Sequence, residues 1–259
     1  MNTISKILVP YDFSDSAKRA LDYAIDFIGN AEIKIDLIHV SDNPDEKKMR
    51  ATYEALCEEY KSKLKVPMRW TLGWDGAVTN IIIEAQQEKK ADLIIMGTSG
   101  SSDEKELSQT AILVKDASCP VLVIPENSEK ETVKNISLVL GKNEIDKPNS
   151  LNTLLGICQK FNAKVHVLTI QNTPGTFGYS KNDEKNENTL MYYLENFYSE
   201  HTFIENTDVV DGIFSYVEKH DIDMIAILPR NHTKNAAPSD GLLTKELVLK
   251  ANVPVLTIE

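Results

Sequence analysis

Hydrophobic positions along this chain fall into short continuous runs separated by longer segments in which apolar residues recur at helical spacing. The runs predict strands near 5–10, 34–40, 66–72, 92–97 and 121–125. Ala17, Ala20, Leu21, Ala24, Ile25 and Ile28 form an i, i+3, i+4, i+7 stripe, so a helix follows the first strand, with Ser14 placed to cap it. Met49, Tyr53, Leu56, Cys57, Tyr60 and Leu64 mark a second helix, and Val78, Ile81, Ile82 and Ala85 a third starting at Asp75. A fourth covers about 106–117. Asp92-Leu93-Ile94-Ile95-Met96 is apolar without alternation, as a strand covered on both faces should be. Alternating strands and helices of this kind predict a doubly wound parallel sheet.

The pattern then repeats. Ala91-Asp92-Leu93-Ile94-Ile95 recurs as Ile222-Asp223-Met224-Ile225-Ala226, and Cys119-Pro120-Val121-Leu122-Val123-Ile124 as Val253-Pro254-Val255-Leu256-Thr257-Ile258. Lys34 to Val40 matches Lys164 to Ile170, Ile7-Leu8-Val9 matches Leu138-Val139-Leu140, and Asp75-Gly76 matches Asp211-Gly212. Matches in one order at nearly constant separation indicate internal duplication. The expected architecture is therefore α/β: two tandem, doubly wound, parallel five-stranded sheets. The domains are 1–126 and 135–259, with 127–134 as a polar linker. Second-domain strands are expected near 135–140, 163–170, 202–209, 222–228 and 254–258. Gln171 to Asn188 reads as a long mobile loop ahead of a helix carrying Leu190, Tyr193, Leu194 and Phe197.

Composition narrows the function. A net charge of −11 over 259 residues opposes binding to nucleic acid or to an anionic membrane. Cys57, Cys119 and Cys158 lie far apart without metal-ligand spacing, which predicts reduced, packed thiols and no metal cluster. No apolar run is long enough to span a membrane, and the expected location is the cytoplasm.

In a doubly wound sheet ligands bind at the carboxyl ends of the strands, so those tips hold the candidate chemistry. The first strand ends Val9-Pro10-Tyr11-Asp12-Phe13-Ser14, the second His39-Val40-Ser41-Asp42, and the fourth Gly97-Thr98-Ser99-Gly100-Ser101-Ser102. Glycines and hydroxyls between a strand and a helix start suit a phosphate, because backbone N–H groups can approach its oxygens and the helix dipole favours its charge. No Gly-Lys-[Ser/Thr] follows, so this is not a Walker A loop.

The duplicated α/β pattern, Val-Pro-x-Asp-x-Ser, Met-Gly-Thr-x-Gly and Cys-Pro-Val-Leu-Val-Ile together resemble the universal stress protein family in its tandem form. That resemblance implies the fold this family shares with adenine-nucleotide hydrolases, a role in stress response, and a site for ATP or AMP. Pro10, Asp12 and Val40 would meet the ribose and adenine, while Gly97, Gly100 and Ser108 would meet the phosphates. ATP-binding members carry Gly-x2-Gly-x9-Gly-[Ser/Thr]. The first domain reads Gly-x2-Gly-x6-Leu-Ser, three residues short, with Leu107 in place of the third glycine. The second has Leu228 and Asn231 where the first has Gly97 and Gly100, Asn143 or a neighbour in place of Asp12, and Leu242 after Gly241. A partial, degenerate site in the first domain and none in the second is the expectation. An ATP-binding switch with weak hydrolysis is the alternative, and an adenylating enzyme a more distant one.

Each candidate also has a purely structural reading. Asp12 reads equally as a cap for the first helix, Gly97 and Gly100 as turn residues, Ser108 as a helix N-cap, and His39 as a hydrogen-bonded interior or edge histidine. Trp70 and Trp74 read as packing, the Tyr192, Tyr193, Phe197, Tyr198 cluster as one core face plus an exposed edge, and Arg230 to Lys234 as the sole small cationic loop at a strand tip. No nucleophile elbow or Ser-His-Asp order is present, so catalysis finds no support. The apolar last strands, Val121 to Ile124 and Val255 to Ile258, are expected to pair with each other intramolecularly and so protect two edges. A protein partner, of unknown kind, is expected to receive the signal.

Overall fold

A computed structural model describes residues 4–42, 45–99, 104–128, 132–141, 144–145, 148–173, 178–228 and 242–258, and the side chains of 104–108 and 148–149 lie outside that description. The chain divides into two compact units, with the boundary at Glu131 and Thr132. The N-terminal unit runs β1 (Lys6–Pro10), α1 (Asp15–Ile28), β2 (Lys34–Val40), α2 (Glu46–Tyr60), β3 (Arg69–Gly73), α3 (Val78–Lys89), β4 (Leu93–Thr98), α4 (Glu104–Asp116) and β5 (Val121–Pro125). Its strand order is β3-β2-β1-β4-β5, every pair parallel. The chain winds outward from β1 in one direction and from β4 in the other, so the switch point, where a crevice opens, lies between those strands.

The C-terminal unit repeats the plan: β6 (Asn135–Val139), α5 (Asn152–Phe161), β7 (Lys164–Gln171), α6 (Lys181–Leu194), β8 (Tyr198–Glu205), α7 (Val209–Lys219), β9 (Met224–Ile227), α8 (Leu242–Lys250) and β10 (Val255–Thr257). Its order is β8-β7-β6-β9-β10, again parallel.

Some of the repeated sequence has a structural cause. Asp92, at the foot of β4, accepts from the Ser5 and Lys6 amides and the Ser5 hydroxyl through Oδ2, at 2.8, 2.9 and 2.7 Å. Asp223, at the foot of β9, accepts from the Lys134 and Asn135 amides at 2.8 and 2.9 Å. Each aspartate ties the start of its unit's first strand to the fourth, satisfying amides that the ladder leaves unpaired. Likewise the Pro120 and Pro254 carbonyls accept from Ile94 and Ile225.

Three expectations need correction. The Asp-Gly match is not structurally equivalent. Asp75 precedes α3 with a left-handed φ of 62°, whereas Asp211 and Gly212 lie inside α7, which Asp208 caps. The third helix accordingly starts at Val78, not Asp75. The third strand of the C-terminal unit is Tyr198–Glu205 rather than 202–209. The supposed loop from Gln171 to Asn188 is helical from Lys181 onward, while residues 174–177 lie outside the described residues. That helix start hid because its buried residues there are polar. Asp183 completes a capping box with Ser180, and Asn186 accepts from the Ile145 amide at 2.8 Å.

Candidate functional site

Ser14 begins α1. Its extended backbone and its hydroxyl, which accepts from the Ala17 amide at 3.2 Å, make it the N-cap. Asp12 holds that cap in turn: its Oδ1 accepts from the Ser14 amide at 3.0 Å and the Ser14 hydroxyl at 2.5 Å. Because the Ser14 hydroxyl proton is committed to Asp12, the Ser16 hydroxyl donates to Ser14 across 3.1 Å. Asp12 is exposed, so it remains open to solvent and to a ligand while it orders the loop.

The same loop is clamped from below. The Tyr11 carbonyl accepts from the Tyr53 hydroxyl and from His39 Nδ1, each at 2.9 Å. A carbonyl cannot donate, so His39 carries its proton on Nδ1. Tyr53 is fully buried and stacks on Trp70, with ring centroids 5.1 Å apart and planes 6° apart. Phe13 rests its ring on Tyr11 and Tyr53 at 5.1 and 5.0 Å, with a left-handed φ of 69°. A non-glycine residue there costs about 1 kcal/mol, which the surrounding contacts offset. Burial first, then the charges of Asp22, Glu59 and Asp12, raises the Tyr11 phenol above its ordinary value. Burial chiefly, with lesser contributions led by Tyr11 and Asp12, raises that of Tyr53. Both phenols therefore stay protonated, and Tyr53 stays a donor.

A cavity of about 210 Å³ opens at the switch point. Pro10, Asp12, Val40 and Gly97 all line it, so four of the residues proposed from sequence come together. Gly97 has a reason of its own to be glycine. A Cβ there would lie 2.0 Å from the Ser16 carbonyl oxygen, because the first turn of α1 crosses β4 at backbone contact. Sequence reasoning missed the far wall: Val78, Thr79 and Ile82 of α3, and Gln109, Thr110 and Leu113 of α4. Thr110, at 1 % exposure, sits a helical turn before buried Leu113; a hydroxyl on an otherwise apolar helix face was the available signal. His39 is the hydrogen-bonded interior histidine expected from the sequence, whereas its partner and the Tyr53 half of the clamp were missed, since that partner is a backbone atom.

Gly100 lies outside the described residues, as do Asn143, Arg230, Asn231, His232, Lys234 and Gly241. Ser108 is not a helix N-cap. The helix α4 begins at Glu104, which places Leu107 and Ser108 past its first three residues, where the backbone amide has an i−4 carbonyl to bond. Whether the Leu107 side chain enters phosphate space lies outside the description. In the C-terminal unit, Leu228 stands at the position of Gly97, just past β9.

Of the two tryptophans expected to pack, Trp70 does so against Tyr53, but Trp74 is exposed; Tyr192 is the exposed edge of its cluster. Cys119 and Cys158 are buried and Cys57 half-buried, all as free thiols, and burial pushes the Cys158 thiol up to about 12. Among the described residues no group of three or more His, Cys, Asp or Glu is placed to hold a metal ion, and no helix is long and apolar enough to cross a membrane.

The architecture defines a doubly wound α/β protein with its crevice at the switch point. Comparison with known proteins makes this narrower. Residues 3–125 match the model of the universal stress protein family. A universal stress protein of Methanocaldococcus jannaschii is 30 % identical over 141 residues, which span 48 % of this chain and 83 % of the relative. The chain belongs to the universal stress protein family. Two solved structures extend the likeness of fold over the whole length. A universal stress protein from Archaeoglobus fulgidus superposes with a TM-score of 0.74 at 15 % identity, covering 99 % of this chain and 97 % of that one. A putative universal stress protein from Pseudomonas aeruginosa gives 0.71 at 17 % identity, covering 98 % and 93 %.

Proposed function

We propose that this protein is a stress-response binding module in which the N-terminal unit receives an adenine-nucleotide-class ligand and the C-terminal unit serves as scaffold or partner surface. The observation that carries this reading is the single cavity wall shared by Pro10, Asp12, Val40 and Gly97 at the switch point. Val40 and Pro10 offer apolar surface to a base, and the exposed Asp12 carboxylate offers an acceptor to ribose hydroxyls. This reading is one of ligand binding rather than turnover.

Isothermal titration with adenosine, AMP and ATP tests it. Saturable binding of at least one, weakened on the order of tenfold by Asp12→Ala, is expected. No binding by any of them would defeat the reading, and tight ATP binding with measurable hydrolysis would favour an ATP-driven switch.

We propose further that the two units associate through β5 and β10. Each is the last strand of its unit's order and carries apolar side chains, an edge that pairing would protect. After proteolytic nicking within 127–134 the two fragments should co-elute; separate elution would refute this. A cytoplasmic location fits the three free thiols, and recovery of a disulfide-linked form from cells would oppose it.

A further inference from the structure

The strands β3 and β8 stand at the ends of their units' strand orders away from β5 and β10, so each presents an edge. The Gly73 carbonyl accepts from the Ser41 amide at 3.0 Å, so alternation turns the N–H and C=O of Trp70 and Leu72 outward from β3. The Asn206 amide donates to the Gln171 carbonyl at 3.3 Å, so His201, Phe203 and Glu205 turn theirs outward from β8. The two strands are structural equivalents, each the third strand of its unit and each preceded by the unit's second helix.

Their charges are opposite. Residues 46–73, which cover α2 and β3, hold seven lysines and arginines against four carboxylates, whereas residues 181–205, which cover α6 and β8, hold six carboxylates against two lysines. The charges nearest the strands are exposed: Lys61, Lys63 and Lys65 ahead of β3, Glu195 ahead of β8 and Glu200 near its start. Lys61 is bound to Glu58, and Glu200 has only His166, at 3.4 Å; among the described residues Lys63, Lys65 and Glu195 are in no ion pair. Large exposed side chains accompany both edges, Trp74 just past β3 and Tyr179, Met191 and Tyr192 on or beside α6, and all are of types that interfaces favour. An edge of one sign repels its own copy, so these two signs leave one pairing favourable, β3 with β8.

We propose that β3 of one copy of this chain adds to β8 of a second copy, with the strands parallel like the other pairs within each unit. The lysines ahead of β3 then meet Glu195 and Glu200 at the start of β8. The ladder is short, so backbone bonding supplies the contact and charge selects the partner. Each chain offers one edge of each kind, and the contact is head-to-tail rather than between two identical surfaces.

Sedimentation velocity of the full chain over a concentration series tests this. At about 0.1 M salt charges more than about 10 Å apart are screened while contacts are not, so the mean mass should rise with concentration above the 29.0 kDa of one chain. Raising the salt to about 0.5 M should weaken the association on the order of tenfold. The variant Lys63→Glu/Lys65→Glu makes the β3 edge acidic, and Glu195→Lys/Glu200→Lys makes the β8 edge basic. Each variant alone should stay at 29.0 kDa, and an equal mixture of the two should associate again. All four residues are exposed, and unchanged urea midpoints would confirm that both variants fold. A native chain of constant mass, association indifferent to salt or to either reversal, or a mixture that stays at single-chain mass would each overturn the proposal. Binding of a lysine-rich peptide by a chain that itself stays single would assign β8 to a different partner and overturn it as well.

Discussion

The two units share a sheet plan and differ at the tips of their strands. In the N-terminal unit α1 starts at Asp15, with only residues 11–14 between it and β1. In the C-terminal unit a 3-10 turn at Pro148–Leu151 leads directly into α5 at Asn152, so residues 140–147 intervene between β6 and the first helical turn. The early start brings the first turn of α1 across β4, where only Gly97 fits beneath the Ser16 backbone. The late start removes that turn from α5, so the corresponding strand end tolerates Leu228. The glycine at the tip of the fourth strand thus follows from how tightly the first helix springs from the first strand.

The sharpest way to break this comparison is to exchange the two residues' sizes. Gly97→Ala should cost about 3 kcal/mol in urea unfolding, since the new Cβ meets backbone that cannot rotate away. Leu228→Ala should cost about 1 kcal/mol or less, the residue being only partly buried. Equal costs would mean that the helix start does not explain the glycine.

The aspartates at the feet of the fourth strands come next. Asp223→Ala should cost about 2 kcal/mol, because it strands two amides at a buried position. Asp92→Ala should cost less, about 1 kcal/mol, since Asp92 is exposed and water can replace it. The reverse order would show that the two feet are not equivalent.

Tyr53→Phe removes one hydrogen bond to the Tyr11 carbonyl and should cost about 1 kcal/mol of stability. Because the same carbonyl positions the Asp12 loop, ligand affinity should fall with it. Lost stability with unchanged affinity would make Tyr53 a packing residue only.

The smallest contrast is in alkali. Burial raises the Cys158 thiol from 9.0 in the unfolded chain to about 12 in the fold. The unfolded state therefore loses its proton first, and the stability this group contributes is intact below about pH 9 and lost as pH rises toward about 12. At pH 10 the loss is about 1 kcal/mol. A Cys158→Ala chain should lose less stability between pH 8 and pH 10 than the native chain, measured by urea midpoints.

Strands were legible in the sequence wherever burial on both faces left apolar runs, as in β4 and β5. The cap at Ser14 was legible because its chemistry is local. The start of α6 was not, since Asp183 and Asn186 meet their needs through hydrogen bonds rather than apolar contact. Pro10, Asp12, Val40 and Gly97 were legible as strand-tip residues. The α3 and α4 wall of the cavity was not, because nothing local marks a helix face as lining rather than core. Neither was the helical position of Ser108, which depends on how far α4 extends toward its start.

Amide hydrogen exchange on the full chain with and without saturating adenosine puts the central claim to its most direct test. Ligand-dependent protection should appear in 10–17, 38–41 and 96–113, with no change in 139–152 or 224–228. Protection in the C-terminal unit's strand tips, or in neither unit, would contradict the account.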